Sequence, residues 1–215
     1  MIEEIWKFVF SKSGNERSSG KTNLLHESFI NLIKEELIDF NNLVFKVENN
    51  GVRIKDILDI HNKVFNVDAI IKSLSNDFVF LMKAPISSIN KNIYNYNNGL
   101  IGEIIRFYGN KNNINKKLIF INVVPNNTFR TVPKTQKIVL ENTNHFSLKS
   151  TLNMSKNILN NNVIKNISEV YICYDVNKLV FSNINNLGDI DDFIHITSIN
   201  GLDELIKDIK GDNYF

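Results

Sequence analysis

One cysteine, three prolines, nine glycines and one tryptophan are spread over 215 residues. A single cysteine rules out a disulfide framework, and without a CxxC pair it argues against a thiolate zinc site. Cys173 lies inside the apolar run "VYICYD" and reads as a small buried hydrophobe. So little proline and glycine excludes collagen-like and flexible low-complexity chains. No apolar run reaches the length of about 18 residues that a membrane helix needs. The first ten residues contain Glu3 and Glu4, where a secretory leader would be basic. The expectation is a cytoplasmic protein with no membrane partner. Neither sign of charge dominates, with 25 Lys and Arg against 23 Asp and Glu and a net charge of +2. That balance permits a nucleic-acid partner without requiring one, because a local basic cleft matters more than the total.

What the chain has in excess is asparagine, 36 residues of it. The asparagines fall between well-patterned apolar segments, which a disordered tract would lack. The length fits one domain, residues 1–215, with a sizeable core. Residues 23–40 carry Leu25, Phe29, Leu32, Ile33, Leu37 and Ile38 on a helical stripe, with Glu27, Lys34 and Glu35 on its polar flank. "NLVFKVENNGVRIKDI" reads as strand, Asn-Asn-Gly turn and strand, and "VFNVDAII" with "FVFLMKAP" reads as a second hairpin. "NNGLIGEIIRFYG" is an amphipathic helix, and "KKLIFINVVP" is a buried strand. Residues 126–165 are polar and weakly patterned, with one short helix near 153–160. "EVYICYDV" and "FIHITS" are strands, and "GLDELIKDI" closes the chain as a helix. These elements predict an α/β fold, a mixed central sheet flanked by helices.

The stretch "SGNERSSGKT" follows the apolar "IWKFVF" and leads into the first helix, as a phosphate-binding P-loop would. That loop requires G-x-x-x-x-G-K-[ST], so that successive amides curl around the phosphates. Gly14 and Gly20 have five residues between them, and Ser19 stands where the second glycine is due. One extra residue re-aims every donor after it. A polar loop capped by Thr22 or Asn23 at the helix start explains the same residues. The NTPase alternative would use Lys21 and Thr22, with Asp175 after "VYICY" as the magnesium partner.

The informative stretch is "VFNVDAIIKSLSNDFVFLMKAP". Asp68 ends one apolar strand, and Lys83 interrupts the next. A lysine in a strand that otherwise reads as buried must lose hydration or find an anion. As hairpin partners the two residues can face one cleft, a carboxylate for a metal beside a lysine for water or phosphate. Asp56 and Asp59 could assist a metal, although amphipathic patterning of "IKDILDI" explains them equally well. His26, His61, His145 and His195 show no ligand spacing.

"VDAIIKSLSNDFVFLMKAP" resembles the core motif of the PD-(D/E)XK nucleases, in which an Asp ends one strand and an acidic-x-Lys element lies on the next. "KAPISSINKNIYNYNNGLIGEIIRFYG" is similar to the stretch in type II restriction endonucleases that runs from the catalytic strand into the flanking helix. "SSGKTNLLHESFINLIKEEL" resembles the family's first helix, which often adds an acidic residue, here Glu27. The resemblance spans about residues 18–124, the implied catalytic core, and leaves 125–165 as a DNA-recognition insertion. It implies a restriction-endonuclease-like fold and a Mg²⁺-dependent homodimer that cuts double-stranded DNA at a short site, paired with a cognate DNA methyltransferase. Asp68 and Lys83 carry over as catalytic residues. The acid two before the lysine falls at Leu81, which cannot bind metal. Either Glu103 has taken its place, making Asp68 and Glu103 the metal ligands with Glu27 as substitute, or the chain is an inactive DNA-binding relative. Base reading calls for paired donors and acceptors. "INKNIYNYNN" and "NNTFRTVPKTQK" offer Asn90, Lys91, Asn92, Asn95 and Arg130 in expected loops, and the opening stretch offers Arg17 and Lys21 to the phosphate backbone.

Overall fold

The computed structural model describes residues 20–48, 52–85, 89–131, 134–135, 138–143, 165–176 and 194–212. Their order is α1 (Gly20–Glu36), β1 (Val44–Val47), β2 (Ala69–Lys72), β3 (Asp77–Lys83), α2 (Ile89–Tyr108), β4 (Lys117–Pro125), β5 (Asn127–Thr131), β6 (Ile138–Asn142), β7 (Ile167–Val176), β8 (Ile194–Asn200) and α3 (Leu202–Gly211). Six strands form one mixed sheet in the order β1-β2-β3-β4-β7-β8, while β5 and β6 form a separate hairpin. β1, β2 and β3 are an antiparallel meander. β4 and β7 then lie parallel to β3 and to each other, and β8 closes the far edge antiparallel.

Both faces of the sheet are covered, which is why β3 and β4 read as nearly continuous apolar runs. Alternation divides them between two cores. Phe78, Phe80 and Met82 of β3 join Ile119, Ile121 and Val123 of β4 beneath Leu25, Phe29, Ile30 and Ile33 of α1 and Leu205, Ile206 and Ile209 of α3. Val79 and Leu81 join Leu118 and Phe120 beneath Leu100, Ile104, Phe107 and Tyr108 of α2. Each buried side chain of this size contributes about 1.5–3 kcal/mol, so the two-sided burial outweighs any local strand preference. Gly201 enters α3 with φ 84°, and a Cβ there would collide with the Glu169 carbonyl oxygen.

The mixed sheet with helices on both faces agrees with the sequence reading, but several elements need correction. β1 pairs with β2, and residues 53–57 form no strand. Instead the chain from 53 to 67 makes a loop whose Ile54, Ile57, Phe65 and Val67 plug the core under α2. Asp68 precedes β2 rather than ending a strand, because Phe65 and Val67 are used as core plugs and not as ladder residues. The stretch "INKNIYNYNN" is the first half of α2 and not a loop. "NNTFRTVPKTQK" runs through β5 toward β6, a hairpin that the weak patterning of 126–165 concealed. The first helix begins at Gly20, so Thr22 and Asn23 are inside it and do not cap it, and Ile38 beyond its end is exposed. Cys173 is half-buried. The helix expected near 153–160 lies outside the described residues.

Candidate metal centre

Asp68 is fixed at the point where β2 begins and β3 ends. Its backbone N–H donates to the Phe80 carbonyl at 3.0 Å, and its own carbonyl accepts from Glu48 N–H at 2.8 Å. Its Oδ2 accepts from the Met82 backbone N–H at 2.5 Å. Three main-chain bonds leave Oδ1 with a defined direction, toward α1. There His26 Nε2 stands 3.2 Å away. This is ion-pair distance without the alignment of a hydrogen bond, and neither ring nitrogen of His26 has a hydrogen-bond partner. His26 is only 1% exposed. Leaving a buried polar group without a hydrogen bond costs about 1–3 kcal/mol, and the Asp68 carboxylate at ion-pair distance offsets part of that cost. Glu48, the residue after β1, completes the group. One ligand atom each from His26, Glu48 and Asp68 lies within 4.8 Å of the others, a set that can hold a metal ion.

Lys83 approaches the same strand end from the other face. Its Nζ is 3.4 Å from Glu103 Oε1 on α2. The lysine side chain is 47% exposed, so of the two expected outcomes, lost hydration or an anionic partner, it keeps much of its hydration and has the anion. Glu103 Oε2 is buried with no hydrogen-bond partner. In the strand register Lys83 is next to Asn122 of β4, and Asn122 is next to Tyr171 of β7. Asn122 is buried, and its Nδ2 has no hydrogen-bond partner. Burial pushes the Tyr171 hydroxyl pKa up, and the nearby Glu169 carboxylate adds to that shift. A polar row therefore crosses the α2 face at the carboxyl ends of the parallel strands, the end of such sheets where ligands gather.

The structure sorts the other candidates. Asp68 and Lys83 share the end of β3 but do not face one cleft: Asp68 gathers His26 and Glu48 on the α1 side, while Lys83 pairs with Glu103 on the α2 side. Glu27 is exposed, one residue off the face that His26 uses. Leu81 is 2% exposed within the core under α2. Asp56 is held by Lys46 at 2.5 Å and Lys72 at 3.0 Å, and bonds from those two lysines lower its pKa. Asp59 is buried against Arg106 Nη2 at 2.7 Å and accepts from the N–H groups of His61 and Lys63. The Arg106 guanidinium brings the Asp59 pKa down to about 2 despite burial. Both aspartates pin the 53–67 loop and have no part in the metal group.

Among the DNA-facing candidates, Asn90 donates from Nδ2 to the Asn142 carbonyl at 2.8 Å and to Glu141 Oε1 at 3.1 Å. That ties the start of α2 to the β5–β6 hairpin. Lys91, Asn92 and Asn95 follow on α2, with Asn95 exposed, and Arg130 is on β5. Lys21 and Thr22 lie in the first turn of α1, and Arg17 falls outside the described residues. Asp175, near the end of β7, accepts from Asn126 Nδ2 at 2.9 Å.

His26 and Glu48 are the functional candidates that sequence reasoning passed over. His26 precedes Ile30 by four and Ile33 by seven, which places it on the apolar stripe of α1. A histidine on a core-facing stripe was the available signal. Glu48 carried none, because its place depends on β1 pairing with β2. Comparison of the chain with protein-family models, curated proteins and solved structures finds no match.

No helix among the described residues is long and apolar enough to cross a membrane.

Proposed function

We propose that this chain is a metal-dependent nuclease of the PD-(D/E)XK kind, acting on double-stranded DNA as type II restriction endonucleases do. The observation that carries the reading is the His26–Glu48–Asp68 group at the end of β3, where the Met82 N–H anchors Asp68 and His26 Nε2 faces it at 3.2 Å, with the Lys83 ammonium at the same strand end on the other face of the sheet. Helix α1, the β2–β3 hairpin and helix α2 also follow in the order the resemblance implies, and the restriction-endonuclease-like fold is part of the proposal.

A divalent ion held by His26, Glu48 and Asp68 would polarise a phosphoryl oxygen and lower the pKa of a bound water. The chain's own residues do the rest. The Met82 N–H holds the Asp68 carboxylate in one orientation, so no reorganisation is needed as charge develops. Lys83 offsets negative charge on the phosphate, and Glu103 orients the ammonium from α2. Asn122 offers its unpartnered amide N–H beside Lys83. The start of α2 and the β5–β6 hairpin, joined through Asn90, would read DNA, and the sequence candidates Lys91, Asn92, Asn95 and Arg130 belong to these two elements. Arg17 and Lys21 contact backbone phosphates. A homodimer on a palindromic site and a protecting methyltransferase belong to this reading.

A second reading, an inactive DNA-binding relative, is favoured by Leu81, because the motif's acid position has been given over to core packing. The test is incubation with unmethylated phage DNA and Mg²⁺, Mn²⁺ or Co²⁺. Discrete fragments support the nuclease. Site-specific binding with no cutting supports the relative, and ATP binding that Lys21→Ala abolishes would favour an NTPase.

A further inference from the structure

We infer that the His26–Glu48–Asp68 site is built for a borderline first-row transition dication in preference to Mg²⁺. This rests on reading the three residues as the metal site of the proposed nuclease. The resemblance implies Mg²⁺ with oxygen ligands from Asp68 and Glu103. The side chains that converge are different: two carboxylates and one imidazole, with Glu103 drawn away to Lys83.

Ligand chemistry separates the two classes. Mg²⁺ demands oxygen donors in near-ideal octahedral geometry and dehydrates reluctantly. Imidazole nitrogen suits the later first-row ions, and carboxylates accept both classes. A mixed nitrogen and oxygen set therefore weakens Mg²⁺ relative to Mn²⁺, Co²⁺ or Zn²⁺, and affinity rises from Mn²⁺ through Co²⁺ to Cu²⁺ before falling at Zn²⁺.

The imidazole is no incidental neighbour. His26 is 1% exposed, and neither ring nitrogen has a hydrogen-bond partner, while Nε2 faces Asp68 Oδ1 at 3.2 Å. Helix α1 places it there through the same stripe that seats Phe29, Ile30 and Ile33 in the core. The ring thus enters the site from the core-facing stripe of the helix. The carboxylates flank the end of the β1–β2 ladder, where Glu48 N–H bonds to the Asp68 carbonyl at 2.8 Å. Helix and sheet each supply part of the set, so its spacing follows from core packing.

The experiment titrates the full chain with Co²⁺ and with Mg²⁺ by calorimetry, and follows Co²⁺ by its visible absorption. Expected is one equivalent of Co²⁺ bound at least ~10-fold more tightly than Mg²⁺. His26→Gln should then weaken Co²⁺ by ~10-fold or more, the scale on which even outer-shell partners act, with Mg²⁺ changed far less. Because His26→Gln could disturb the core, the wild type is also loaded with Mn²⁺ and its electron-spin-echo spectrum recorded. Coupling to an imidazole nitrogen supports the inference, even when no DNA is cut, a result that would count against the nuclease alone. Absence of nitrogen coupling, or equal competition by Mg²⁺, overturns it.

Discussion

Lys83 Nζ stands 3.4 Å from Glu103 Oε1, linking the last residue of β3 to the middle of α2. The lysine is nearly half exposed, so the pair is worth about 0–1 kcal/mol to the fold. A function for Lys83 can therefore be separated from a structural role. Lys83→Ala should abolish cleavage, keep DNA binding within a few-fold and leave the melting temperature nearly unchanged. Glu103→Gln should slow cleavage through the misplaced ammonium while metal affinity, measured by calorimetry, stays as in wild type. Weakened metal binding in Glu103→Gln would instead return Glu103 to the metal.

Leu81 occupies the position where the resemblance calls for an acid, and restoring one should fail. Its side chain is buried with Val79, Leu118 and Phe120 under α2. His26, by contrast, comes from α1 on the opposite face. Leu81→Glu should cost at least the ~2–5 kcal/mol of truncating a buried leucine, with a carboxylate to desolvate in addition. Urea unfolding measures this. Undiminished stability together with faster cleavage would show that residue 81 reaches the catalytic cleft.

Asp59 contributes to the acid limb of stability, beside Asp56, whose pKa Lys46 and Lys72 lower. Its pKa is held at about 2, first by the bond to Arg106. A carboxyl depressed below its unfolded value, about 3.9, contributes stability that is fully present above that pH and is lost as pH falls through about 2. Wild-type stability should therefore decline between roughly pH 4 and 2, and Asp59→Asn should flatten that part of the curve. Arg106→Gln should move acid unfolding to higher pH. An unchanged acid limb in Asp59→Asn would place the titrating group elsewhere.

Much of the fold was legible because its signals are local. The helical stripe of α1, the β2–β3 hairpin and the apolar run of β4 each declare themselves within a short window. What failed was pairing over distance. Val44–Val47 looked ready to pair with the next segment across Asn-Asn-Gly, yet its partner is Ala69–Lys72, beyond a loop that Asp59 and Arg106 secure. The β5–β6 hairpin was hidden for another reason. Its strands follow no clean alternation among the surrounding polar residues.

The candidate site shows the same division. Asp68 and Lys83 could be found because strand ends and an interrupting lysine are sequence features. Glu103, expected beside Asp68 as a metal ligand, instead pairs with Lys83. His26 and Glu48 join Asp68 only through the packing of α1 on the sheet and the β1–β2 register. Histidine spacing along the chain could not reveal a group drawn from three separate elements.

The most direct test of the account is cleavage of DNA by Asp68→Asn beside the wild type, with a transition dication supplied. Asparagine can still accept the Met82 N–H bond, so folding should be retained, while the anionic ligand is lost. Metal-dependent fragments are expected from the wild type and cleavage reduced at least ~100-fold in the variant, since metal charge stabilisation supplies several kcal/mol, at a similar melting temperature. Equal cleavage by both proteins, or none by the wild type with any divalent metal, would contradict it.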